Sequence, residues 1–166
     1  MLDVVLMADP AVTGIPVADN GEPLVDLAHY SDLRLADGAH HHVRKGVADR
    51  LVEAERLLPG GLHLLVVDAH RPPHVCGAAV DLTLCSPAGA EISLGTEVNA
   101  APGEACFMAA TGIPAPARRY RRVLSNVMSS AGFVNYPTEW WHWSYGDQYW
   151  ALSAGQPAAL YAPVDR

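Results

Sequence analysis

Apolar residues fall at helical spacing in two stretches of the chain. In RKGVADRLVEAERLL (44–58), Val47, Leu51, Ala54 and Leu58 share one side and the charges take the other, which predicts an amphipathic helix ended by Pro59-Gly60-Gly61. In RRYRRVLSNVMSSAG (118–132), Tyr120, Val123, Leu124, Val127, Met128 and Ala131 form a second stripe, with Gly132 at the place where a left-handed residue closes a helix. Two segments read as strands instead. LHLLVVD (62–68) is short, β-branched and bounded by glycine. AAVDLTLC (78–85) alternates, so Ala79, Asp81 and Thr83 share one face and Val80, Leu82 and Leu84 the other. Residues 8–23 and 86–117 read as irregular, with a short strand near Glu91–Leu94. Phe133–Tyr136 and residues 140–145 read as strands around Pro137, with a turn at Gly146-Asp147. The sum is an α+β fold, a small mainly antiparallel sheet with helices packed on one side.

Composition narrows the partners. The 166 residues suit a single domain spanning 1–166, and 17% charged residues is ordinary for a globular chain. A formal net charge of −7 disfavours nucleic acid and anionic membranes. No apolar run approaches the roughly 20 residues of a membrane helix, and the N-terminus lacks a basic leader region. Cys76, Cys85 and Cys106 show no paired spacing, which fits a reducing, cytoplasmic compartment. With no Cys-x-x-Cys pattern, a metal would be held by histidine and carboxylate. The oligomeric state is not readable.

The candidate chemistry gathers in DAHRP (68–72), His74, Asp81, and Glu139 with His142. His74 and Asp81 stand seven apart; in a straight strand they would face apart over about 23 Å. They can share a site only if the chain bends, most cheaply at Gly77. Glu139 and His142 face apart in a strand and together in a turn or helix.

HVCGAAVDLTL (74–84) and EWWHW (139–143) resemble the two signatures of the VanX-type D-alanyl-D-alanine dipeptidases, within the wider zinc peptidases with lysostaphin-like and hedgehog-like folds. His74, Gly77, Ala79 and Asp81 match His-x-x-Gly-x-Ala-x-Asp, and Glu139 and His142 match Glu-x-x-His. DAHRP resembles the Asp-x-Tyr-Arg-Pro segment that precedes them, and LGT (94–96) follows in the family's order. The resemblance implies one zinc ion in a central cleft, held by His74, Asp81 and His142. It implies Glu139 as general acid/base and Arg71 as oxyanion donor. It implies a small dipeptide substrate from cell-wall peptidoglycan chemistry. A carboxylate beside an indole wall should hold its charge poorly, which suits Glu139 to proton exchange.

The chain also departs from the pattern. Only Pro72 and Pro73 separate Arg71 from His74, where the family has some tens of residues. His70 replaces the tyrosine and Pro72 the serine, and Asn99 falls where the acid gripping the substrate's amino group is expected. Asn99 and Trp141 are therefore the candidate substrate contacts, with Trp140 and Trp143 as packing. Two other readings stay open: a zinc amidase or peptidase acting on an amide conjugate of secondary metabolism, and a binding module that keeps the fold without turnover. His40-His41-His42 reads as a solvated loop, although histidine tracts also bind metal. Cys76 reads as a small buried residue, with a thiol ligand as the alternative. RRYRR (118–122) reads as the solvated start of its helix.

Overall fold

The structure is a computed structural model and describes residues 3–69 and 76–164. Its elements are α1 (Pro10–Thr13), β1 (Leu24–Asp26), β2 (Arg34–Leu35), β3 (His42–Arg44), α2 (Lys45–Leu57), β4 (His63–Asp68), β5 (Ala79–Cys85), α3 (Ala115–Ser130), β6 (Val134–Asn135), β7 (His142–Ser144) and α4 (Gln148–Ser153). Five strands form one sheet in the order β2-β4-β5-β7-β6. β2 joins β4 in parallel, and the other three pairs are antiparallel. β1 and β3 make a separate antiparallel ribbon. The result is a mixed α+β architecture, with four α-helices among the described residues.

One face of the large sheet is apolar because its strands alternate. Leu64 opposes Leu84, Val66 opposes Leu82, and Val80 opposes Trp143, and all six are buried. α2 turns Val47, Ala48, Leu51 and Ala54 into this core, and α3 adds Leu124, Val127 and Met128. The two helices touch, and α3 also meets β5 and β6.

α3 begins at Ala115, earlier than its apolar stripe suggested. Pro116 fits the first turn of a helix, where an N–H has no helical partner to lose. The reading of RRYRR as a solvated start is wrong for one residue. Arg121 is 2% exposed and lies on the helix face that carries Ala117, Leu124 and Met128. Its guanidinium donates to Leu94 O at 2.7 Å, Phe107 O at 2.7 Å and Ala105 O at 2.8 Å, and sits 5.3 Å from the centroid of the Trp140 ring. Burial pushes its pKa down to about 10, so it stays cationic at neutral pH. The strand expected near Glu91–Leu94 amounts to one bridge, between Glu91 and Cys85.

Gly77 adopts a left-handed conformation at the place where the sequence offered a bend. Its φ is +70°, and β5 starts two residues later. A Cβ there would lie 2.5 Å from Leu24 Cδ2 and 3.0 Å from the Arg44 backbone nitrogen. The left-handed conformation costs a non-glycine residue about 1–2 kcal/mol before any clash. Gly77→Ala is therefore expected to lower stability by about 2 kcal/mol. In a chain of this size that is a fall of about 4–8 °C in Tm, read by thermal unfolding.

Among the described residues, Cys76, Cys85 and Cys106 are all free, and no helix is long and apolar enough to cross a membrane.

Candidate active site

The polar face of the sheet is built by one irregularity. β4 and β5 pair regularly from His63 to Val66, then the register slips so that Asp68, not Val67, opposes Asp81. A β-bulge of this kind swaps the face on which the next side chain emerges. Without it Asp68 would point into the apolar core; with it Asp68 joins Asp81. On the other side of β5, Asp81 directly opposes His142 of β7. Asp68, Asp81 and His142 therefore form a row across three adjacent strands. Asp81 Oδ1 and His142 Nδ1 are 2.8 Å apart.

Glu139 reaches this row through a turn. Glu139 N donates to Tyr136 O at 2.9 Å and His142 N to Glu139 O at 3.1 Å, so residues three apart come to the same side. Glu139 Oε2 lies 4.0 Å from His142 Nδ1. Asn135 steadies the turn, its side-chain amide donating to Glu139 O and to His142 O, each at 3.0 Å. Sequence reasoning missed Asn135, because an asparagine between two strand-like residues carries no motif of its own.

A cavity of about 300 Å³ opens over the row. Asp68, Cys76, Asp81, Asn99, Glu139 and His142 are among its walls. Asn99 stands there with φ +60°, a left-handed conformation that asparagine tolerates better than most residues. Trp141 is 2% exposed and is not among the described lining residues; it packs edge-on against Trp140, 5.5 Å between ring centroids. Trp140 and Trp143 are fully buried as well. The indole wall thus lies behind the Glu139–His142 turn and faces the core, while the Glu139 side chain is 39% exposed. The carboxylate is thus partly open to solvent rather than enclosed with the indoles that follow it.

Two further groups border the cleft. His40 Nδ1 lies 3.1 Å from Asp68 Oδ1, so the histidine tract touches the site at its first residue. Burial raises the Cys76 thiol, and the Asp147 carboxylate pushes it the same way. A thiol held protonated is a poor nucleophile. His70, Arg71 and His74 lie outside the described residues.

The comparisons with known proteins agree with the motif resemblance. A family model described as D-ala-D-ala dipeptidase matches residues 44–158, from the end of β3 to beyond α4. A D-alanyl-D-alanine dipeptidase of Synechocystis sp. is 33% identical over 102 residues, covering 51% of this chain and 38% of that relative. The chain therefore spans well under half of that relative's length. With more than half of its residues inside the family model, and Asp81, Glu139 and His142 brought to one cleft, the chain belongs to the D-ala-D-ala dipeptidase family of peptidases.

Proposed function

We propose that the chain is a zinc-dependent hydrolase of small peptides, with a D-alanyl-D-alanine-like dipeptide as its substrate class. The observation that carries this reading is the row Asp68–Asp81–His142 with the Glu139 carboxylate beside it in one cavity. We assign Asp81 and His142, with His74 as the third donor, to hold the ion. Two donors at zinc distance in a tetrahedral site stand about 3.3 Å apart. The Asp81–His142 pair, at 2.8 Å, needs to open by only about half an ångström to fit that spacing. When bound, zinc supplies Lewis acidity and makes a water acidic near neutral pH.

The chain's own residues do the rest. Glu139 is free of the Asp81–His142 hydrogen bond, and its oxygen can take a proton from the attacking water and return it to the leaving amine. Arg71 is assigned to the developing oxyanion, since a guanidinium stays charged at any working pH. A cavity of about 300 Å³ is at the small end of ligand pockets, which favours a dipeptide-sized substrate.

Asn99 supports a second reading. Its amide on the cavity wall carries no charge to pair with a free ammonium, so an N-blocked peptide or amide conjugate is the alternative substrate. One experiment tests both. Protein stripped with a chelator should lose D-Ala-D-Ala hydrolysis and regain it with zinc; turnover indifferent to chelation overturns the metal-dependent reading. An N-acetylated dipeptide cleaved faster than the free one selects the second substrate class.

A further inference from the structure

Among the described residues one group of three metal-ligating side chains has its ligand atoms within 4.8 Å of one another: Asp26, His41 and His42, away from the cleft. The backbone builds this group. Asp26 ends β1 directly opposite His42, which begins β3, so the antiparallel register sets both side chains on one face. His41 precedes the strand, and its carbonyl accepts from Leu27 N at 2.7 Å. Neighbouring residues of an extended strand point to opposite faces. Here both rings turn to one carboxylate. His41 Nδ1 is 2.5 Å from Asp26 Oδ1, and His42 Nε2 is 3.9 Å from Oδ2. The two imidazoles stack, with centroids 5.2 Å apart and planes inclined by 23°. Asp26 Oδ1 also accepts from Ala28 N at 2.8 Å, which fixes the carboxylate. The three side chains are 26–34% exposed, open enough for an ion to enter and keep water on its remaining positions. The solvated-loop reading holds for His40, which is exposed, but not for the half-buried His41 and His42.

We infer that Asp26, His41 and His42 form a second metal site, which takes a borderline divalent ion of the zinc class and ties β1 to β3. Two imidazole nitrogens and one carboxylate oxygen suit zinc and its first-row neighbours, whereas calcium and magnesium prefer oxygen donors throughout. None of the three residues lines the cleft. The strand they would pin nevertheless holds the cleft's wall. His40 O accepts from Ala69 N at 2.9 Å, Arg44 N donates to Gly77 O at 3.0 Å, and Arg44 Nε donates to Cys76 O at 2.9 Å. An ion at this site steadies the chain on both sides of the motif that carries Arg71 and His74.

The test is a metal count on tag-free protein, dialysed against buffered zinc, with folding checked by circular dichroism. Wild type is expected to bind two equivalents. H41Q/H42Q should bind one, and D81N/H142Q should also bind one. Asp26→Asn keeps an Oδ1 for Ala28 N and should likewise bind one, so it decides the matter if the histidine variant misfolds. Equal zinc in wild type, H41Q/H42Q and D26N overturns the inference. A single equivalent lost only in D81N/H142Q also overturns it while leaving the proposed hydrolase standing. A single equivalent lost in H41Q/H42Q and D26N but not in D81N/H142Q upholds this site and removes the proposed catalytic one.

Discussion

Glu139→Gln is expected to lower dipeptide turnover by about 10²- to 10⁴-fold, the usual contribution of a positioned general base. The substitution keeps the size of the side chain and removes only its capacity to accept a proton. Its other effects should be small. The Glu139 side chain is 39% exposed, and the contacts that shape its turn come from its backbone: its N–H to Tyr136 O, and its carbonyl to His142 N and the Asn135 amide. Stability should therefore stay within about 0.5 kcal/mol of wild type. Zinc content should also be unchanged, because the proposed ligands are His74, Asp81 and His142. The decisive pattern is a fall in kcat with KM and metal stoichiometry preserved. A variant within a few-fold of wild type would show that the proton goes elsewhere, and Asp68, the neighbouring carboxylate on the same cavity wall, would be the next group to replace.

The site was legible where chemistry is written in short spacings and obscure where it depends on pairing. Glu139, His142 and Asp81 could be named from motifs, and Gly77 could be picked out as the place where a left-handed turn is cheapest. The face shared by Glu139 and His142 could not be chosen, because a strand and a turn give opposite answers. The turn decided it, held by Asn135 from a neighbouring strand. The β4 bulge was invisible, since LHLLVVD reads equally well in either register until Asp81 is set opposite Asp68. The fold divides in the same way. α2, α3, β4 and β5 carry enough periodic apolar positions to announce themselves. β1, β2 and β3 are two or three residues long and exist only through partners elsewhere in the chain. The indoles of 140–143 signalled burial correctly, but burial has a direction, and theirs points to the core.

Arg121→Met should be among the most destabilising single changes in the chain, although RRYRR looks like a surface run. The guanidinium is a hub for three carbonyls on the 94–107 segment, which otherwise has little regular structure. Methionine fills much of the space but donates nothing. Phe107 O would retain its bond from Ala110 N, whereas Leu94 O would lose a charged donor in a buried place and Ala105 O would lose one at a more exposed position. At about 1–3 kcal/mol for the buried Leu94 acceptor left short, with a smaller contribution from the more exposed carbonyls, the loss is about 3 kcal/mol. That corresponds to a fall of about 6–12 °C in Tm for a chain of this length. Arg121→Lys should recover only part of it, since one ammonium cannot span three carbonyls held by a planar fork. Activity should fall too, by a route that a surface arginine would not offer. Arg121 stacks on Trp140, whose indole N–H donates to Thr96 Oγ1 at 2.8 Å and whose backbone N–H donates to Cys106 O at 2.9 Å. Loosening the 94–107 segment therefore loosens the residue next to Glu139 and, through Asn99, the opposite cavity wall. Thermal unfolding combined with kcat and KM below the transition separates the two effects. An Arg121→Met protein as stable and as active as wild type would mean that those carbonyls find water or other donors without cost, and that the segment does not depend on the arginine.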